Sequence, residues 1–262
     1  MTDQDSYFTR AGATIAYQVA GSGSPVGYAH GVPLSRDAVR RLDLFDVDAI
    51  GAGHRLLTYD QRGHGRSTGR PVVDDYSFDT FAADLLGLLD EAGIDEPIDL
   101  IGSSLGADNA LRGALIAPDR FRRLVLMIPP VAWEPEAAQA KRWYFDFAEL
   151  IETTGPSWRD ALADAAPLPI FTGYDKFDMT PQVPDELLPS VLRGVARSDL
   201  PAPDRIATVG QPTLILAWET DALHPVDTAR RLHDLIPDST LHVASTVADI
   251  KTWTDRIVDF LS

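Results

Sequence analysis

Ser104 stands at the centre of Gly102-Ser103-Ser104-Leu105-Gly106, a Gly-x-Ser-x-Gly string. A serine hydroxyl in this setting can attack a carbonyl carbon once a neighbour takes its proton. An apolar run, Ile98 to Ile101, leads into the string, and a helical pattern, Ala107 to Ala117, follows it. That order predicts a strand, a tight turn and a helix, with Ser104 at the apex. Gly102 and Gly106 fit a turn so sharp that flanking side chains would collide. The same turn aims a helix N-terminus at the hydroxyl and frees the backbone N–H of Leu105 for a developing oxyanion.

The rest of the chain must hold that turn in place. Apolar segments alternate with helical ones, the pattern of a largely parallel sheet wrapped by helices. Strands are expected at Thr14–Ala20, Val26–Ala29, Arg55–Tyr59, Ile98–Ile101, Leu124–Ile128, Thr213–Ala217 and Leu241–Ala244. Helices are expected at Arg36–Ile50, Phe78–Ala92, Val226–Ile236 and Trp253–Leu261. From Val131 to about Pro203 the rhythm changes and no strand is expected. Helices there are predicted over Glu136–Glu152, with Pro135 in its first turn, over Ser157–Ala166, and over Asp185–Arg197. This stretch holds Trp133, Trp143, Tyr144, Phe145, Phe147, Trp158, Phe171, Tyr174 and Phe177. Most of these rings are expected to pack the segment's own core, with a minority lining a substrate pocket beneath. The expected division is an α/β core, residues 1–130 and 204–262, and a helical cap, residues 131–203.

Bulk composition excludes several classes. The 262 residues suit one large α/β domain, and 45% of them are hydrophobic, enough for a sizeable core. The chain has no cysteine, so disulfides and thiolate chemistry are ruled out. A net charge of −16 argues against nucleic acid and an anionic membrane surface, and favours a small neutral substrate. The polar start, Met1 to Ser6, and the absence of any membrane-length apolar run lead us to expect a cytoplasmic protein. No metal-ligand pattern is present and no cofactor is expected. Gly21-Ser22-Gly23-Ser24 precedes a strand and reads as a turn, not a phosphate loop.

Four landmarks then occur in order: His30-Gly31-Val32-Pro33 after a strand, Tyr59-Asp60-Gln61-Arg62-Gly63-His64-Gly65-Arg66-Ser67 after the next, the Ser104 string, and Asp221-Ala222-Leu223-His224-Pro225 after a late strand. Together they resemble the α/β-hydrolase superfamily, in its cap-bearing branch of lactonases, esterases and haloperoxidase-like enzymes, from about Thr14 to Leu261. The resemblance implies an α/β-hydrolase fold: a mostly parallel eight-stranded sheet flanked by helices, with a helical cap after the sixth strand. It also implies roles. Ser104 would be the nucleophile, the amides of Val32 and Leu105 the oxyanion hole, and Asp221 the acid that orients a histidine. His30, His64 and Arg62 would brace backbone-rich loops.

One family landmark is missing. The histidine expected after the last strand is absent, and the loop there reads Ser245-Thr246-Val247-Ala248-Asp249. His242 lies within the strand, where its side chain should face one side of the sheet. Three repairs are open. His224, three residues beyond Asp221 at the C-terminal edge of the sheet, could be the base. Asp249 could serve, although its ordinary pKa makes it a poor partner for serine and it reads more naturally as the N-cap of the last helix. Alternatively, the fold no longer performs acyl transfer. The corresponding functions are hydrolysis of small carboxylic esters or lactones, a lyase, isomerase or cyclase that reuses the oxyanion hole, and a small-molecule binding protein.

Overall fold

The computed structural model describes residues 4–133, 136–163 and 167–262. Eight strands form one sheet in the order β1-β2-β4-β3-β5-β6-β7-β8. They are β1 Ser6–Arg10, β2 Ala13–Gly21, β3 Pro25–Ala29, β4 Arg55–Tyr59, β5 Ile98–Ser103, β6 Phe121–Met127, β7 Thr213–Trp218 and β8 Ser239–Ala244. β2 pairs antiparallel with both β1 and β4, and every other pairing is parallel. Sequence periodicity located seven of these strands. It missed β1, a short edge strand (SYFTR) whose residues are largely exposed and lack a buried apolar run.

The central strands are buried on both faces, as parallel strands under crossover helices must be. Side chains alternate between the two faces. Leu124 and Leu126 of β6, like Ile215 and Ala217 of β7, pack with α3 (Phe78–Glu91), α4 (Leu105–Ile116) and α9 (Val226–Leu235). Val125, Met127, Leu214, Leu216 and Trp218 face the other side, against α1 (Arg36–Leu42), α2 (Val47–Ile50), α10 (Val247–Lys251) and α11 (Trp253–Leu261). One helix was expected across Arg36–Ile50, but two form. Asp43 turns left-handed with φ of 51°, and Asp46 caps a fresh start by accepting from the amides of Asp48 and Ala49.

Between β6 and β7 the chain leaves the sheet. It forms α5 (Glu136–Thr154), α6 (Trp158–Ala163), α7 (Leu188–Ala196) and α8 (Pro203–Ile206), with no strand among the described residues of that stretch. α5 starts at Glu136, as expected, while Pro135, expected in its first turn, and the expected end of α6 at Ala166 lie outside the described residues. α7 begins later than Asp185, with Pro189 in its first turn, where a missing N–H costs little. Phe147, Ile151, Leu188, Val191 and Leu192 of this stretch pack in one cluster with Tyr76, Phe81 and Leu105. The helical insert therefore rests on the residue that follows Ser104.

Candidate active site

The turn at Ser104 is as tight as its glycines suggest. Ser104 follows the last residue of β5, precedes α4, and holds φ 53° and ψ −113°. For a non-glycine residue this is a strained conformation, of the sort that persists where the surroundings enforce it. The surroundings are close: a Cβ on Gly102 would lie 2.0 Å from the Gly106 carbonyl oxygen, and one on Gly106 would lie 2.0 Å from the Ala29 carbonyl oxygen. Neither contact is possible, so both positions require glycine. Gly31 is nearly as crowded, since a Cβ there would reach 2.9 Å from the Ser104 Cβ. The loop carrying Val32 thus lies directly against the serine. Leu105 is the first residue of α4, so its amide has no acceptor within the helix.

His224 reaches the serine from the loop after β7. Its Nε2 lies 2.8 Å from the Ser104 Oγ, and its Nδ1 lies 2.7 Å from Asp221 Oδ2. An ionised carboxylate only accepts, so Nδ1–H donates to Asp221 and the neutral ring presents Nε2 to the serine hydroxyl as acceptor. Asp221 is pinned in turn. Its Oδ2 also accepts from the Trp218 Nε1 at 2.9 Å, and its Oδ1 accepts from the amides of Leu223 at 2.9 Å and His224 at 3.3 Å. Burial alone would push this carboxyl up. The electrostatic pull of the adjacent His224 and the bonds from His224, Trp218 and Leu223 outweigh it and hold the group well below the usual carboxylate range. Asp221 therefore stays charged throughout the mildly acidic range, and an acid limb in a pH–rate profile would not be its own.

Pro225 supplies the abrupt end of this loop. It sits at the N-cap of α9, and α9 carries Asp227, Thr228 and Arg231 onward along the cavity. Trp218 was not anticipated as part of the site. Its signal was its place as the last residue of β7, one strand period from Leu216 on the same face.

Asp249 takes neither role considered for it. It is not the N-cap of the last helix. It occupies the third position of α10, where Thr246 is the cap and the two side chains form a reciprocal capping box. Its Oδ2 also accepts from Ser245 and Thr246 amides, and it does not line the cavity that holds Ser104. His242 lies on β8 with Arg256 at 3.1 Å, facing the sheet side that α11 covers.

The bracing residues sit where loops need partners. Gln61 N–H donates to His30 Nε2 at 2.9 Å, the His30 Nδ1 meets the Gly31 carbonyl at 2.9 Å, and the Gln61 side chain donates to the His30 carbonyl. His64 Nδ1 meets the Arg62 carbonyl at 2.8 Å. Arg62 makes a two-pronged bond to Asp84, each prong 2.8 Å. Burial pushes His30 down to about 4, and burial with the neighbouring His30 pushes His64 down to about 3. In the unfolded chain both rings protonate near pH 6.5, whereas in the folded protein both stay neutral until far lower. Unfolding thus takes up about two protons as pH falls from 6.5 toward 4, so stability falls with acid. Asp108, which burial pushes up to about 7, takes up its proton in the folded protein over the same interval and works in the opposite direction, so urea unfolding should show a net loss of only about 1 to 2 kcal/mol between pH 7 and pH 5. In an Asp108→Asn variant the full loss of about 3 to 4 kcal/mol should appear, and a midpoint unchanged there would contradict the assignment of two neutral buried rings.

Ser104, Asp221 and His224 open on a cavity of about 940 Å³. Of the nine aromatic residues between Trp133 and Phe177, five line it: Trp133, Trp143, Tyr144, Phe147 and Phe177. That is a majority, not the minority expected. α5 points Ala140, Trp143, Tyr144 and Phe147 inward at helical spacing, so one amphipathic face supplies most of the roof. Trp158 and Phe171 are instead fully buried core.

A family model described as "alpha/beta hydrolase fold" matches residues 25–151. A relative from Klebsiella pneumoniae (strain 342), named for carbamate hydrolysis, is 30% identical over 200 residues, covering 73% of each chain. The non-heme chloroperoxidase CPO-A1 of Kitasatospora aureofaciens is 41% identical over 126 residues, but that match covers only 47% of this chain and 44% of the relative. Among solved structures, a thermophilic esterase from Thermogutta terrifontis superposes with a TM-score of 0.78 at 23% identity, covering 98% of this chain and 96% of that one. With this sheet order and these relatives, the chain belongs to the α/β-hydrolase superfamily and is a hydrolase of that fold.

Proposed function

We propose that the protein is a serine hydrolase of small carboxylic esters or lactones, with Ser104 as nucleophile, His224 as general base and Asp221 as the orienting acid. The observation that carries this reading is the unbroken chain from Ser104 Oγ through His224 to Asp221, at 2.8 and 2.7 Å. Ser104 attacks the carbonyl carbon while its proton passes to His224 Nε2. Asp221 stabilises the imidazolium that forms. The tetrahedral oxyanion sits against the amides of Val32 and Leu105, each such donor being worth about 3 to 4 kcal/mol in the transition state. Collapse breaks the ester C–O bond, and His224 returns its proton to the departing alkoxide. Water, deprotonated by His224, then splits the acyl-enzyme, releasing the acid and restoring the serine. In a lactone the acid and alcohol remain one molecule.

Residues 131–203 act in this reading as a cap over the carbonyl site, since their helices pack on Leu105 and their aromatics roof the cavity. A mainly apolar lining suits an apolar substrate body. The case for a lyase, isomerase or cyclase rested on the want of a histidine after β8, and an imidazole beside Ser104 removes most of its weight. An aryl phosphonate should label the protein once, at Ser104, with loss of activity on 4-nitrophenyl esters. Intact-mass measurement and peptide mapping check this. Label at another residue, or full labelling with activity retained, would overturn the nucleophile.

A further inference from the structure

The cavity is mainly apolar, and among the described residues that line it Arg231 is the single lysine or arginine. Arg231 projects from α9 at helical spacing from Asp227 and Thr228, so the three share the face turned to the cavity. Its guanidinium lies 4.5 Å from the centroid of the Trp133 ring. Trp133 is itself fixed at both ends: its amide donates to Asp199 Oδ1 at 3.1 Å, and its Nε1 donates to the Pro201 carbonyl at 3.2 Å. The arginine is therefore seated on an anchored platform. Stacking occupies the face of a guanidinium and leaves its N–H edges free, in the fork geometry that matches the two oxygens of a carboxylate.

The nearby acids are already engaged. Asp227 pairs with Arg230 at 2.9 Å, and Asp221 is held by His224 and Trp218. No described carboxylate forms an ion pair with Arg231. The protein as a whole carries −16 and repels anions at long range, so a cation without an ion-pair partner at the rim of the substrate cavity gives an anion its one point of direct attraction among the described residues of that lining, besides His224. The side chains of α-helices lean toward the helix N-terminus, which directs Arg231 back toward His224.

We propose that Arg231, seated on Trp133, is a specificity-determining residue that captures a carboxylate on the substrate, so that the preferred ester or lactone bears a second, ionised acid group. The apolar aromatics take the carbon skeleton between the two ends. This rests on the hydrolase reading for its chemistry, but the anion site can be tested without turnover. Because Arg231 is exposed at the rim and touches no reacting atom, its loss should raise KM for anionic substrates and leave kcat near the native value.

The test compares the native protein with Arg231→Gln and Arg231→Lys. The substrates are two matched pairs: 4-nitrophenyl butyrate with mono-4-nitrophenyl glutarate, and phenyl acetate with 3-acetoxybenzoate. They place the carboxylate on the acyl side and the alcohol side respectively. The native enzyme should favour the anionic member of at least one pair, and R231Q should lose about five- to tenfold of that preference, read as the anionic-to-neutral ratio of KM within each pair. R231K should retain part of it. Benzoate and benzamide, titrated calorimetrically, give the readout that needs no catalysis: benzoate should bind the native protein more tightly, and R231Q should erase the difference. Equal binding of the two by the native protein, or a benzoate preference that survives in R231Q, overturns the proposal. Failure of every ester to turn over while the benzoate difference holds would instead overturn the hydrolase reading and keep the anion site.

Discussion

Replacing His224 with alanine should lower ester turnover by about four to six orders of magnitude while leaving the protein folded. The expectation comes from geometry. The ring is the acceptor 2.8 Å from Ser104 Oγ, and no other described titratable side chain forms a hydrogen bond with that oxygen. A serine hydroxyl without a base is a weak nucleophile at neutral pH. Its fold should survive because the ring belongs to a loop, not to the packed sheet, and Asp221 keeps the donors of Trp218 and Leu223 when the imidazole is gone. Asp249→Asn is the matched control. Asp249 lies where a family histidine would be sought, yet its carboxylate serves a helix start, so its variant should keep turnover within a few-fold and stay folded. Steady-state rates on 4-nitrophenyl butyrate, with circular dichroism to verify folding, decide between the two positions. A His224→Ala enzyme within tenfold of native would mean that the proton leaves Ser104 by another route.

The second large effect concerns stability. Asp84→Ala should cost about 3 to 5 kcal/mol and lower the melting temperature by roughly 10 °C. Arg62 is completely buried and Asp84 nearly so, and their two bonds of 2.8 Å are the carboxylate match for that guanidinium. Removing the acid leaves a full positive charge in the interior, with the carbonyls of Ala11 and Arg10 as its remaining acceptors. A carbonyl dipole offsets only part of an unpaired charge. Chemical denaturation read by tryptophan fluorescence checks the figure. A loss under about 1 kcal/mol would show that water or a rearranged acid reaches Arg62.

The strand–turn–helix at Ser104 was legible because three constraints coincide there: an apolar strand, two glycines that cannot be anything else, and a helical pattern. The central strands were legible for a similar reason, since burial on both faces leaves a continuous apolar run. β1 was not, because an exposed edge strand carries no such run. The break at Asp43 was hidden by apolar spacing that continues smoothly through it, and only backbone capping reveals two helices. Asp221 and His224 could be named from the sequence but not joined to Ser104. They lie more than a hundred residues along the chain, and nothing local reports the crossing of β7 beside β6. Trp218 and Arg231 escaped notice for a different reason. Each matters through one neighbour, the Asp221 carboxylate or the Trp133 ring, and a contact made by folding leaves no periodic trace. The share of the insert's rings that line the cavity is not legible because the apolar stripe of α5 has the same spacing whether it packs a core or, as here, faces an open chamber.

The acid and the imidazole ride on the same short segment, separated by two residues and stopped by a proline. In the proposed mechanism one loop after β7 therefore brings both partners of the serine, locked to each other by the 2.7 Å bond and by the Leu223 amide, and the turn after β8 sends no side chain into the cavity.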